Sequence, residues 1–262
     1  MSIPSVDFRR EYARHRASEG RALRGEQLRS LPYLAEGALA RQWGVRARSF
    51  ETFVDRVLKP MSSTGPIDFL DLGAGNGWLS HRVATYGHRS IAVDIRDDEV
   101  DGLGAAADFL SDAAAPFQRV KASFDTLPFQ DNSFDIVLFN ASLHYATDLR
   151  RVLTEASRVT RSGGFVAVLD SPFYRCDRDG RDMVAEKLAQ GHSRFGACAD
   201  VLLMQNFIEY LTPERLAAAR PALSWTRHRV RYPLWYEMRP LLAWVKGRRK
   251  PSRFDLWTAR VS

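Results

Sequence analysis

Between residues 67 and 170, short and nearly continuous apolar runs alternate with stretches of helical period. The runs are Ile67–Leu72, Ser90–Ile95, Gln118–Ala122, Phe134–Asn140 and Phe165–Asp170. Strands that are apolar on both faces belong to a sheet covered on both sides. Strand–helix alternation of this kind predicts a doubly wound, mostly parallel sheet. Between the last two runs, Leu149, Val152, Leu153, Ala156 and Val159 make one apolar helical stripe, and Gly163-Gly164 is expected to stop that helix. Upstream, Tyr12 to Leu34 reads as an Arg-rich, weakly amphipathic helix. A second helix is expected from a Ser49 cap through Phe50, Phe53, Val54, Val57 and Leu58, stopping at Pro60. Downstream, the pattern predicts a helix near Met183–Ala189 and another opened by Thr212-Pro213-Glu214. Late strands are expected over Trp225–Tyr232 and Phe254–Val261. The chain therefore divides into an N-terminal helical cap (1–60), an α/β core (61–170) and a third part (171–262). That third part holds a cap insert and strands that complete the sheet.

With 45% apolar and 26% charged residues in 262, the composition is that of a folded globular chain. The net charge of +7 is unevenly spread: residues 1–60 carry +5, 61–170 carry −6 and 171–262 carry +8. Basic flanks attract nucleic acid, anionic membranes or anionic substrates. Here the arginines are scattered rather than blocked, which favours a solvated surface. No apolar run reaches the length of a membrane span, and the first residues lack the apolar stretch of a secretory signal. The only cysteines, Cys176 and Cys198, form no CxxC and have no activating neighbours, so neither a disulfide framework, a zinc site nor thiol catalysis is expected. These features point to a reducing, cytoplasmic setting. One segment stands apart: Trp235, Met238, Leu241, Leu242, Trp244 and Val245, followed by Lys246, Arg248, Arg249 and Lys250. It is expected to cover the sheet or form an oligomer contact, with a peripheral membrane contact or a long apolar substrate as the less favoured alternative.

The strongest chemical signal is Asp71-Leu72-Gly73-Ala74-Gly75-Asn76-Gly77-Trp78. An apolar strand ends in an acid, then a loop with glycine at alternate positions opens a helix. Glycine permits a sharp turn and close approach of backbone to ligand. The ligand is expected beyond the carboxyl ends of the strands. A dinucleotide fold wants a small residue at the sixth position of the loop so that helix and strand pack closely. Trp78 occupies that position, which argues against NAD or FAD. Asp94, at the tip of the second strand, suits the hydroxyls of a ribose. Further on come Leu127-Pro128-Phe129 with Phe134-Asp135-Ile136-Val137, then Asn140-Ala141-Ser142-Leu143-His144-Tyr145, then Arg161-Ser162-Gly163-Gly164.

In this order the motifs resemble the class I S-adenosylmethionine-dependent methyltransferases with a UbiE-like, type 11 core, over about residues 67–170. The resemblance implies an α/β, Rossmann-like three-layer sandwich, with the N-terminal helices and a helical insert forming a cap. S-adenosylmethionine is the implied cofactor. Carried over, Asp71, Gly73 and Gly75 surround its methionine part and Asp94 its ribose. Ser123, followed by Phe124, stands where the family usually has an adenine-binding Asp; Asp125, two residues later, or the backbone around Ser123 is the substitute. Asn140 faces the methionine moiety or the substrate. Methyl transfer is an in-line displacement, so alignment and water exclusion dominate. His144 is the candidate general base for an acceptor that arrives protonated, and Tyr145 and Tyr174 are candidate substrate-pocket residues. No metal-ligand spacing is visible. The expected reaction is methyl transfer to a small organic acceptor of aromatic, hydroxylated or anionic character. RNA or protein methyl transfer is an alternative; the absence of a Pro-Pro run after Asn140 and of an RNA-binding module disfavours nucleic acid. A cofactor-binding protein without methyl transfer is the other alternative. The oligomeric state stays open.

Overall fold

The computed structural model describes residues 6–110, 115–191, 193, 196, 199–203 and 205–262; Cys198 lies outside them. A seven-stranded sheet runs in the order β3-β2-β1-β4-β5-β7-β6. Its strands are β1 (Asp68–Leu72), β2 (Arg89–Asp94), β3 (Gln118–Lys121), β4 (Phe134–Asn140), β5 (Thr160–Leu169), β6 (Trp225–His228) and β7 (Leu256–Arg260). The first five pair in parallel, and β7 joins β5 and β6 antiparallel. This is the expected Rossmann-like three-layer architecture, with the two late strands completing the sheet.

The alternation of side chains along each strand sorts the core into two layers. Phe69, Ile136, Leu138, Ala167 and Leu169 face one way, against Trp43, Phe50 and Phe53 of the N-terminal region and Trp78, Leu79 and Val83. Leu70, Leu72, Val137, Phe139, Val166 and Val168 face the other way, against Val152, Leu153, Ala156 and Val159. Both layers are almost fully buried, as the continuous apolar runs require.

Three local expectations are corrected. The Tyr12–Leu34 helix is two helices, α1 (Val6–Ser18) and α2 (Gly25–Ser30). Gly20 at φ +74° and Gly25 at φ +52° take the left-handed conformation that breaks a helix. Ser49 is not a cap. The helix α3 begins at Ala40 and runs to Phe53, prolonged by a π-helical turn over Val54–Leu58. The Ser49 hydroxyl is buried 3.0 Å from the Tyr232 hydroxyl. Gly163-Gly164 does not end a helix either, because α5 (Leu149–Val159) has already stopped and both glycines lie in β5. A Cβ on Gly164 would sit 2.6 Å from the Asp135 carbonyl oxygen, at the register shift between β4 and β5. By contrast, Thr212 caps the helix α7 (Pro213–Ala219) as predicted, accepting from the Arg215 N–H. Helix α4 (Trp78–Thr85) follows the glycine loop. The expected helix near Met183 is the end of α6 (Asp177–Ala189).

Candidate functional site

At the carboxyl ends of β1, β2, β4 and β5 lies a cavity of about 830 Å³. Parallel strands end here together, and the loops that follow them wall a crevice. After β1 the chain turns through Gly73, Gly75 and Gly77, all at positive φ. Gly73 is also pinned by space: a Cβ there would sit 2.3 Å from the Cβ of Ser142. The Ser142 hydroxyl donates to the Leu72 carbonyl at 2.5 Å, so the loops after β1 and β4 are locked together. The Gly73 and Ala74 N–H groups donate to the Val93 carbonyl, and the Gly75 N–H to Asp94 Oδ2 at 2.8 Å. Asp94 Oδ1 accepts from the Arg96 N–H, also at 2.8 Å. Asp94 lines the cavity, and burial raises its carboxyl above the usual range, partly offset by Arg96 and these backbone donors.

Gly73, Gly75, Asp94, Ser123, Phe124, Asn140, His144 and Tyr145 all line this one cavity. Asp71 does not. It is fully buried, accepts from the Ser80 hydroxyl at 3.1 Å, and leaves Oδ1 without a hydrogen-bond partner. Burial pushes its carboxyl up to about 7. Tyr174 is not on the cavity either. The chain leaves β5 through Pro172, and Phe173 bridges to Leu211 and Arg253, carrying Tyr174 past the rim to Arg249. Asn140 ends β4 with its Oδ1 buried and unpartnered. His144 sits 3.5 Å from the Ser171 hydroxyl. Burial, with Lys187 and Arg46 nearby, pushes its ring down to about 3, so the imidazole is neutral at ordinary pH. Being neutral it can accept a proton, but it binds one far more weakly than the free side chain whose pKa motivated the choice of base.

The remaining wall comes from residues that sequence reasoning did not single out. Tyr12 and Arg16, four apart on α1, reach the cavity side by side. The Tyr12 and Tyr145 hydroxyls are 2.9 Å apart. Arg16 donates to Asp101 Oδ2 at 2.6 Å, and Asp101 Oδ1 accepts from Asn76 at 3.1 Å. Helix α1 is thereby tied across the cavity to both the glycine loop and the turn after β4. From α3, Arg46 reaches within 4.0 Å of Asp170 and stacks 4.9 Å from the Trp43 ring centre. Asp170 terminates β5 at φ +52°, is 6% exposed, and has no hydrogen-bond donor on either oxygen. Burial raises it to about 6, against the pull of Arg46. Its position at a strand's carboxyl end was the available signal. For Tyr12, Arg16 and Arg46 there was none, because their helices meet the site only through tertiary packing. Trp78 shows how that packing works: its ring meets Trp43 and Phe50 edge-on, at 5.6 and 5.8 Å. The large residue that excluded a dinucleotide loop is the anchor for α3.

A family model described as a methyltransferase domain matches residues 70–168. The chain is 30% identical, over 50% of its length, to malonyl-[acyl-carrier protein] O-methyltransferase of Erwinia pyrifoliae, and the match covers 48% of that protein. It is 35% identical over 42% of its length to sarcosine/dimethylglycine N-methyltransferase of Halorhodospira halochloris, covering 40% of that protein. The chain thus spans less than half the length of these relatives. A Burkholderia thailandensis 1,6-didemethyltoxoflavin-N1-methyltransferase, solved with bound 1,6-didemethyltoxoflavin and S-adenosylhomocysteine, superposes with a TM-score of 0.53. That superposition covers all of this chain and 92% of the other, at 17% identity, so it speaks for the fold. The matched segment begins inside β1, ends inside β5 and contains the glycine loop, Asp94 and Asn140. The core of this chain, residues 70–168, thus has the sequence of a methyltransferase domain.

Proposed function

We propose that the protein transfers a methyl group from S-adenosylmethionine to a small organic acceptor bound between the strand ends and helices α1 and α3. One observation carries this reading. A single cavity joins the glycine loop and Asp94 to a chamber walled by Tyr12, Trp43, Arg46, Tyr145 and Phe207. Its volume of about 830 Å³ lies in the upper part of the range for small-molecule sites, leaving room for cofactor and acceptor together.

The residues present fit the cofactor. Asp94 keeps lone pairs free beyond its two backbone donors, as a vicinal diol needs. Asn140 Oδ1 is buried without a donor and fits an ammonium group. Gly73 admits no side chain because a Cβ there would meet Ser142, so the loop after β1 stays close against the loop after β4 beside the cavity. Ser123 and Phe124 line the same cavity and fit the adenine. When bound, S-adenosylmethionine supplies an electrophilic methyl group on a sulfonium centre. This chain's share is to hold two partners in line and to keep water out. The aromatic rings of α1 and of the turn after β4 would close the chamber, and Arg46 with Asp170 would orient a polar or charged acceptor group. Neutral His144 would accept a hydrogen bond or a proton from a hydroxyl acceptor.

Incubating the protein with methyl-labelled S-adenosylmethionine and fractionated cell extract tests the reading. Label in the small-molecule fraction supports it. Label in RNA or protein overturns it in favour of a macromolecular acceptor. Cofactor binding with no label in any fraction overturns it in favour of a binding protein without transfer.

A further inference from the structure

The segment after β6 does not cover the sheet. It forms two short helices, Leu234–Glu237 and α8 (Arg239–Val245), whose apolar side chains face solvent. Leu234 is 78% exposed, Trp244 74% and Val245 69%; Met238, Leu241 and Leu242 are also exposed. Met238, Leu241, Leu242 and Val245 have the spacing of one helical face. The segment is nonetheless anchored. Tyr236 is buried against Tyr232 and belongs to a small core with Val45 of α3, while the Arg41 guanidinium lies over the Trp235 ring.

Charge identifies the occupant. Residues 225–253 contain nine Lys and Arg but one acid, Glu237, which Arg253 engages; Arg227 and Arg249 pair with Asp255 and Glu186 from outside the segment. Lys246, Arg248 and Lys250 are exposed directly beyond the apolar face. A second copy docking face to face would bring two such basic segments together, which Coulomb repulsion opposes. An anionic bilayer satisfies both halves: Trp, Leu and Val enter the headgroup boundary while the cations meet lipid phosphates. We infer that the face formed by Leu234, Met238, Leu241, Leu242, Trp244 and Val245, with Lys246, Arg248 and Lys250 beside it, is a docking surface for an anionic membrane. The segment packs on α3, which carries Trp43 and Arg46 to the cavity, so docking would set one wall of the active chamber beside the bilayer.

The test is sedimentation of the full chain with phosphatidylcholine vesicles, with and without phosphatidylglycerol. The expected result is binding to the anionic vesicles that weakens with salt. Lys246→Glu/Arg248→Glu/Lys250→Glu should lower that affinity roughly a hundredfold or more. Leu241→Glu/Trp244→Glu should also lose binding, and both variants should keep the parent's melting temperature because the altered side chains are exposed. Three results would overturn the proposal: no binding of the parent to anionic vesicles, equal binding by both variants, or a parent dimer in light scattering that Trp244→Glu dissociates. The last would assign the face to a second copy.

Discussion

The Gly75 N–H donates to Asp94 Oδ2 across 2.8 Å, so the carboxylate that would hold a ribose also sets the loop that would face the cofactor. Asp94→Ala therefore removes two things at once: the acceptor for ligand hydroxyls and the brace for the glycine loop. Hydrogen bonds to a charged group contribute about 1.5–3 kcal/mol each. Calorimetry should show S-adenosylmethionine binding at least tenfold weaker. Asp94→Asn keeps one acceptor oxygen and should fall between the two. Unchanged affinity in the Ala variant would remove Asp94 from the site.

Gly73 tests the second brace. A Cβ there would lie 2.3 Å from the Ser142 Cβ, and φ +71° is unfavourable for any side chain. Gly73→Ala should lower the melting temperature and impair cofactor binding. Adding Ser142→Gly removes the clash but not the backbone strain, so it should restore part of the loss. Ser142→Gly alone also loses the hydrogen bond to the Leu72 carbonyl, so it is the reference; if the double variant matches Gly73→Ala plus that loss, strain of about 1–2 kcal/mol accounts for the Gly73 defect.

The sheet and the cofactor end of the site were legible in the sequence because local chemistry encodes them. Strand runs are continuous, Asp94 sits at a strand tip, and the glycine loop is contiguous. What was not legible depends on tertiary meetings. Arg46 and Asp170 are 124 positions apart, and neither has a local pattern announcing the other. The break between α1 and α2 rests on glycines that a helical pattern can tolerate on paper. Ser49 looked like a cap because the preceding Arg41-Gln42-Trp43-Gly44 hides a helical face that only Trp78 and Phe50 reveal. Leu234, Met238, Leu241, Leu242, Trp244 and Val245 have core composition, and composition alone does not say that the fold leaves them exposed.

Asp71 should make stability fall as pH rises. Its carboxyl titrates near 7 in the folded chain and near 3.8 when unfolded, so between those values the folded state binds the extra proton. Stability then declines through that window. His144 acts oppositely: its folded value near 3 lies below the ordinary 6.5, so its contribution rises with pH. Asp71→Asn isolates the first effect. Relative to the parent, the variant should gain stability from about pH 4 to about pH 7, by up to about 4 kcal/mol, and level off above. Thermal melts at several pH values check this, and a pH-independent difference would mean that Asp71 is not held protonated.

His144→Ala should reduce turnover while leaving S-adenosylmethionine affinity within about twofold, since His144 would contact the acceptor rather than the cofactor. With the imidazole already neutral, the parent's kcat should show no limb near pH 6–7 that the variant loses. A limb at that pH, abolished by the substitution, would mean that the bound acceptor restores the ring's ordinary basicity and would promote His144 to the base.

Arg46 and Asp170 are the pair on which acceptor choice should turn. Arg46→Met leaves the Asp170 carboxylate buried, 6% exposed and without its only nearby cation among the described residues. Breaking a buried pair from one side costs on the order of 3–5 kcal/mol, because the remaining charge is uncompensated. Part of that cost is avoided here, because Asp170 already titrates near 6 and can take up a proton. The single variant should therefore be destabilised more at pH 8 than at pH 5. Arg46→Met/Asp170→Asn should recover stability at pH 8 but not acceptor binding. If the chamber receives a polar or charged acceptor at this pair, its KM should rise in both variants with cofactor affinity retained. An unchanged KM in the double variant would move acceptor recognition to the Tyr12, Arg16 and Tyr145 wall on the opposite element.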